Sequence, residues 1–467
     1  MINSAVSQPN ELFRDSISTI TKEGARNWIF AKKPFGKFYN ARTVVSWLYL
    51  LVFFTLPCIK IHDEPLFLFN LLERKFILFG VIFWPQDFFV FALGMLTFMV
   101  FIVLFTVVFG RLFCGWVCPQ TIFMEMVFRK IEYLIDGEAE KQKRLKAMPW
   151  NTEKILKRSG KFLAFFAVSF LIANYFLAYI IGMDNVLLYV KEGIIAHLGT
   201  FIPLIIFTSV FFFVYWWFRE QACLIVCPYG RLQGVMLDPN SIVVAYDHVR
   251  GEPRGKIDRH SAENKGDCID CFDCVRVCPT GIDIRNGTQL ECVNCTACID
   301  ACDAIMTKVH RPTALIRYAS ENNIRKGEKL QITFRSAAYS VVLLVLIGVL
   351  VTLLATRKDI QTTVMRAQGM LYQEQPNNQL SNLYNIKLIN KTRKNIPIQL
   401  KLETDGLHGE IKQVGNAVEV QPESVGDGVF FVYVDKADLK TRKTKIEIGV
   451  YSGVRKIDQV TTSFMSN

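Results

Sequence analysis

The chain has 467 residues, more than one ordinary domain holds, and 51% of them are hydrophobic, with a mean hydropathy of +0.25 that is high for a soluble protein. The formal net charge of +12 is not a nucleic-acid footprint, because Lys and Arg gather beside long apolar runs, where they set membrane orientation. Composition therefore excludes a plain soluble domain and points to a membrane protein with soluble parts.

Residues 1–42 contain no early apolar core of the signal-peptide kind, so the first apolar run is expected to remain as an anchor. Crossing the hydrocarbon core takes about 20 mostly apolar residues, and five stretches qualify: 43–59, 88–109, 162–182, 197–217 and 337–355. The fourth runs from His197 to Trp217 without a charge and closes on the interfacial aromatics Tyr215, Trp216 and Trp217. Lys plus Arg number 7 in 1–42, 3 in 60–87, 11 in 110–161, 1 in 183–196 and 16 in 218–336. This alternation places the amino terminus in the cytoplasm and everything after residue 355 outside, in the periplasm of a two-membrane envelope. The expected order is a cytoplasmic tail (1–42), a four-helix transmembrane region (43–217), a cytoplasmic ferredoxin-type insert (218–336), a fifth transmembrane helix (337–355) and an outer domain (356–467).

The outer domain reads as β-structure. Its short alternating runs, 385–390, 398–402, 429–434 and 444–450, are spaced by turn residues as in a small sandwich. It holds no cysteine, so no disulfide fastens it.

Twelve of the thirteen cysteines fall into four compact motifs, and only Cys58 stands alone. The first strong pattern is Cys268-x-x-Cys271-x-x-Cys274-x-x-x-Cys278-Pro279, followed by Cys292-x-x-Cys295-x-x-Cys298-x-x-x-Cys302. This is the spacing of bacterial two-cluster ferredoxins. A cubane needs four thiolates, three from one motif and the fourth from the other. One 4Fe-4S cluster is thus assigned to Cys268, Cys271, Cys274 and Cys302, the other to Cys292, Cys295, Cys298 and Cys278. Zinc ribbons use paired Cys-x-x-Cys knuckles instead. The second motif carries Asp303 where proline is usual.

The other pattern is a repeat: Gly110-Arg-Leu-Phe-Cys114-Gly-Trp-Val-Cys118-Pro119 after the second span and Cys223-Leu-Ile-Val-Cys227-Pro228 after the fourth. On a helix, thiols at i and i+4 share one face. Both pairs lie at the same membrane face, so Cys114, Cys118, Cys223 and Cys227 are expected to converge on a four-thiolate site. Soft thiolates select Cu(I), zinc or iron–sulfur centres; plain packing at helix ends is the alternative. His62 and His197, at the outer ends of spans one and four, are weaker candidates for a haem, metal or quinone contact. The basic run from Lys141 to Lys146 is expected to meet anionic lipid headgroups. No GxGxxG, P-loop or Cys-x-x-Cys-His haem motif is present, which leaves the electron donor unidentified.

With Trp84-Pro-Gln-Asp87, the stretch from Gly110 to Thr121, Cys223 through Gly230 and the two ferredoxin motifs in view, the chain resembles the FixG/RdxA/CcoG family of cytochrome c oxidase accessory proteins over nearly its whole length. The resemblance implies an immunoglobulin-like carboxy-terminal domain and reduction of Cu(II) to Cu(I) for assembly of cbb(3)-type oxidase, copper being substrate or transient ligand. It maps copper handling onto Cys114, Cys118, Cys223 and Cys227. Expected partners are then the lipid bilayer, a cytoplasmic copper chaperone, a copper-exporting ATPase and oxidase assembly factors. Two rival readings stand beside it: a quinol dehydrogenase similar to the NapH or NosR proteins, and a non-catalytic redox-sensing assembly scaffold.

Overall fold

The computed structural model describes residues 18–466 apart from 22, 62–63, 71–74, 80, 84–87, 257–264, 328–333, 357–359, 368, 370, 377, 393–394, 405, 416–418, 423 and 440. His62 and Trp84–Asp87 therefore lie outside the described residues. The chain forms two compact units, Met1–Leu350 and Val351–Asn467.

Among the described residues, five helices are long and apolar enough to cross a membrane: Lys37–Cys58, Phe89–Phe109, Thr152–Ile181, Leu198–Phe218 and Phe334–Ala355. The first and third begin well before the apolar runs expected at 43 and 162. Their polar leading turns are helical in their own right. Asn151 caps the third by accepting from the Lys154 N–H at 2.9 Å, and Glu153 pairs with Lys157 one turn on at 2.7 Å. Where the first, third and fourth spans meet, Phe53, Phe123, Phe128, Phe165, Ile172 and Tyr215 form an aromatic core, with Phe128 stacked on Tyr215 at 4.5 Å. Between the first and second spans lies a three-stranded antiparallel sheet, Phe67–Asn70, Lys75–Leu78 and Val81–Phe83.

Under this core sits a cluster of buried charges drawn from three separate segments. Glu132 takes Lys161 Nζ at 2.5 Å and Arg219 Nη2 at 2.7 Å, and Asp136 takes Lys161 at 2.9 Å. Burial alone would keep the Glu132 carboxyl neutral; Arg219 and Lys161 overcome it and hold the group down at about 2. The third-span helix is thereby tied to the segments that follow the second and fourth spans.

The ferredoxin half is framed by a two-stranded ribbon, Val243–Tyr246 against Ile316–Ala319, which brings together the chain entering and leaving the cysteine motifs. The amino-terminal stretch is fastened along it. Ser18 Oγ donates to the Thr280 carbonyl at 2.5 Å, and the Lys32 N–H to the Arg276 carbonyl at 2.9 Å. The Asp300 carboxylate accepts the N–H groups of Phe38 and Tyr39 at 3.1 and 2.7 Å, capping the first span helix from the ferredoxin side.

The second unit is a β-sandwich. One sheet runs Gly409–Val414, Val425–Asp435, Gln379–Asn390, Ile360–Arg366; the other runs Gln399–Leu402, Lys443–Ser452, Arg455–Met465. Alternating residues of both faces fill its core, with Tyr384, Phe430, Val432, Ile446, Ile448 and Phe464 fully enclosed. Of the four runs anticipated from alternation, 385–390, 429–434 and 444–450 fall within these strands, and 398–402 begins one residue before the strand Gln399–Leu402.

Candidate functional site

The two ferredoxin motifs share one backbone device. Asp270 and Phe272 flank Cys271, and Asn294 and Thr296 flank Cys295, all four with left-handed φ between 54° and 64°. None is glycine, so each position costs on the order of 1 kcal/mol or more. Such tight turning lets three cysteines so close in sequence face one point. Phe272 and Thr296 then open the helices Asp273–Arg276 and Ala297–Lys308, which carry Cys274, Cys298 and Cys302.

Two cavities result. One is lined by Cys278, Cys292, Cys295 and Cys298, and by Cys274 as well. The other is lined by Cys268, Cys271, Cys274 and Cys302. Cys278 and Cys302 each line the cavity of the other motif's cysteines, and Cys274 lines both. Burial pushes the thiols of Cys274, Cys292 and Cys302 up to about 12 and that of Cys295 to about 11. Thiols so placed give up protons only to a cation that takes over their charge, which suits an iron–sulfur group. Asp303, at the proline position of the usual pattern, lies inside the second helix and accepts the Ala314 N–H at 2.7 Å. A proline there would interrupt a helix that runs on to Lys308.

The repeated membrane-edge motifs differ from expectation in local structure. Neither pair of thiols shares a continuous helix face. The residue before proline is pushed out of the helical region, and Cys118 and Cys227 accordingly adopt φ −57°, ψ 126° and φ −69°, ψ 112°. Both N–H groups reach five residues back, Cys118 to the Phe113 carbonyl at 3.0 Å and Cys227 to the Ala222 carbonyl at 2.8 Å. The two motifs are therefore structural copies of each other.

They also touch. Cys114 Sγ lies 3.4 Å from Gln233 Oε1, on the helix that follows Cys227, and the rings of Phe113 and Tyr229 stand edge to face at 6.3 Å. Arg111 approaches Gly230: a Cβ on that glycine would lie 3.7 Å from Arg111 Nη2. Burial and the neighbouring Cys118 push the Cys114 thiol up to about 11, and burial together with Cys118, Cys114 and Cys227 pushes Cys223 to about 12.

This group abuts the first of the two cavities. Cys114 packs against the buried cluster formed by Val277, Val293, Cys295 and Ala297. Gly115 is pressed so closely on the second ferredoxin motif that a Cβ would meet the carbonyl oxygens of Val293 and Asn294 at 2.5 and 2.6 Å. Trp116 Nε1 donates to Tyr318 Oη at 3.0 Å. Sequence reading missed these contacts and the Arg42 and Asp300 anchors, whose partners lie more than 250 residues away. His197 is engaged by Glu192 at 2.5 Å and stacked on Tyr189 at 3.9 Å. Cys58 is exposed.

Comparison with known families agrees with this layout. Residues 218–321 match a 4Fe-4S dicluster domain, 91–135 a 4Fe-4S binding domain, and 350–467 an IG-like fold at the C-terminal of FixG. Together with five apolar span-length helices, these features define a membrane iron–sulfur electron-transport protein. The chain is 33% identical to Protein RdxA of Cereibacter sphaeroides, covering 82% of this chain and 83% of that one. It is 32% identical to Protein RdxB of the same organism, over 78% and 80%. Against Nitrogen fixation protein FixG of Rhizobium meliloti it is 37% identical, over 63% of this chain and 57% of that one. The chain belongs to the FixG/RdxA family.

Proposed function

We propose that this protein is a cupric reductase of the bacterial inner membrane, supplying Cu(I) for assembly of a cbb(3)-type cytochrome c oxidase. In this reading the ferredoxin half faces the cytoplasm and the immunoglobulin-like unit the periplasm, in keeping with the Lys and Arg alternation along the chain. Cysteines 268, 271, 274 and 302 would hold one 4Fe-4S group and 278, 292, 295 and 298 the other; when bound, these groups supply one-electron storage and transfer.

The protein's own residues do the rest. Apolar side chains such as Val293 and Ile282 line the first cavity, and Ile316 and Leu315 the second. Arg42 and Asp300 fix the motif to the membrane helix. The candidate copper-handling thiols, Cys114, Cys118, Cys223 and Cys227, form the edge at which Cu(II) takes up one electron from a cytoplasmic or quinol donor and departs as Cu(I), the softer ion that sulfur favours. A cytoplasmic copper chaperone and a copper-exporting ATPase are natural recipients on that face.

The observation that carries this reading is the contact of Cys114 with both the Cys295 surroundings and Gln233. It supports a short route from the ferredoxin cavity to Cys114, the thiol nearest to it among the candidate copper-handling cysteines. The test is anaerobic Cu(II) reduction by purified, chemically reduced protein, against a variant with all four membrane-edge cysteines changed to serine. Cu(I) production by the wild type and its loss in the variant is expected. A wild type that ignores Cu(II) but oxidises quinol would instead support a quinol dehydrogenase.

A further inference from the structure

We infer that Cys114, Cys118, Cys223 and Cys227 together hold a third iron–sulfur cluster, of the 4Fe-4S kind, and that any copper ion is a visitor to its edge. The inference rests on the electron-transfer reading above but not on copper being the acceptor.

Three independent observations converge on it. The first is the match of residues 91–135 to a 4Fe-4S binding domain that lies apart from the dicluster segment. That stretch contains only two cysteines, Cys114 and Cys118, and a cubane is held by four thiolates. The missing pair has to come from elsewhere in the chain. Cys223 and Cys227 belong to a second copy of the same turn, with the same N–H to carbonyl bond across five residues and direct contacts to the first copy through Gln233, Tyr229 and Gly230.

The second observation is spacing. Among the described residues no three His, Cys, Asp or Glu side chains gather closely enough to share a single metal ion. The same holds for both cysteine quartets of the ferredoxin half, which surround a void instead. Membrane-edge thiols that adjoin one another through shared neighbours without closing on one point suit a multi-atom core better than a bare copper or zinc ion, whose thiolate bonds are only about 2.3 Å for zinc.

The third is a set of waiting donors. Gln233 is fully buried with its amide oxygen at the Cys114 thiol, and Arg111 Nε and Gln120 Nε2 are enclosed without a hydrogen-bond partner. Buried N–H groups left unpaired are costly. Arg111 and Gln120 belong to the first motif and Gln233 to the helix that follows the second, and Arg111 approaches Gly230 of the second as well. N–H donors and one positive charge are what a sulfur-rich anionic cluster takes up, and they help set its reduction potential.

The test is iron and acid-labile sulfide per full-length chain after anaerobic purification and reconstitution, read together with Mössbauer spectra. Three clusters predict about 12 irons per chain in the wild type and about 8 in the Cys114→Ser/Cys118→Ser/Cys223→Ser/Cys227→Ser variant. The paired variants Cys114→Ser/Cys118→Ser and Cys223→Ser/Cys227→Ser should each lose the same four irons, since the site is shared. Cys58→Ser should lose none. Retention of about 8 irons certifies that the ferredoxin half of a variant is folded. A reconstituted wild type that stops at about 8 irons overturns the inference regardless of how the variants behave. Cluster count and Cu(II) reduction are separate readouts, so a third cluster without copper reduction would refute the cupric-reductase reading alone.

Discussion

Arg42 Nη1 donates to the carbonyl oxygen of Cys295 at 2.9 Å, a bond from inside the first span helix to the middle of the second ferredoxin motif. The arginine is 4% exposed, so its charge acts in a medium where screening is weak. Replacing it by methionine keeps the packing and removes both charge and bond. The expected cost is about 1.5–3 kcal/mol, the worth of a hydrogen bond to a charged group, seen as a lowered thermal midpoint in detergent. The midpoint potential of the neighbouring cluster should also become more negative, because a nearby positive charge favours the reduced form; redox titration followed by EPR would show no shift if that is wrong.

The crosswise ligand assignment can be checked one residue at a time. Cys302→Ser is expected to perturb the cluster of the 268–274 motif and leave the other intact, whereas Cys278→Ser should do the reverse. EPR of the two variants, each reduced anaerobically, would sink the assignment if both altered the same signal.

Gly115 is a point of backbone contact, not of flexibility. A Cβ there would stand 2.5 Å from the Val293 carbonyl oxygen, and backbone cannot swing aside as a side chain does. Gly115→Ala should destabilise the protein by about 1–3 kcal/mol through overpacking and broaden the EPR signal of the adjacent cluster. Gly199→Ala, in the fourth span helix with nothing within 4 Å of its Cβ, is the matched control and should be silent.

Glu132 gives a pH dependence with a definite sign. Its carboxyl is held below its ordinary value of 4.5, down to about 2, by Arg219 and Lys161 against the penalty of burial. A depressed carboxylate contributes stability that is fully present above about 4.5 and is lost as the pH falls towards 2. Glu132→Gln leaves Lys161 and Arg219 without their carboxylate and should cost about 3–5 kcal/mol at neutral pH. It should also flatten the acid limb of the stability curve. A thermal-shift series from pH 7 to 3 in which variant and wild type fall in parallel would refute the linkage.

Cys58 tests orientation. It is exposed at the end of the first span, on the side the charge pattern assigns to the periplasm. A membrane-impermeant maleimide applied to intact spheroplasts should label it, and the label should vanish in Cys58→Ser. Labelling only after lysis would reverse the topology.

Much of this architecture was legible because membrane spans and ferredoxin motifs are written locally. A run such as Phe89 to Phe109 declares itself by composition, and Cys268 to Cys278 by spacing. The sandwich strands followed from alternation, as in Val429 to Val434. What escaped was non-local or decided by competition. Lys161 reads as a loop charge until the third helix is found to start at Thr152 and carry it inward to Glu132 and Asp136. Cys114 and Cys118 read as one helix face because their spacing allows it, yet Pro119 imposes a break in front of itself. The strap of residues from Ser18 to Phe38 has no periodic signal, since it is held by backbone bonds and by Asp300 rather than by an apolar face.

Asp300 sits between Cys298 and Cys302 on one helix and at the same time seals the start of the first span. The iron-binding segment and the bilayer helix therefore share a rivet. Tilting that helix, as a thicker membrane or a partner helix beside it would do, pulls on the very turn that carries Cys298 and Cys302. The lipid environment is thus mechanically within reach of the protein's redox chemistry.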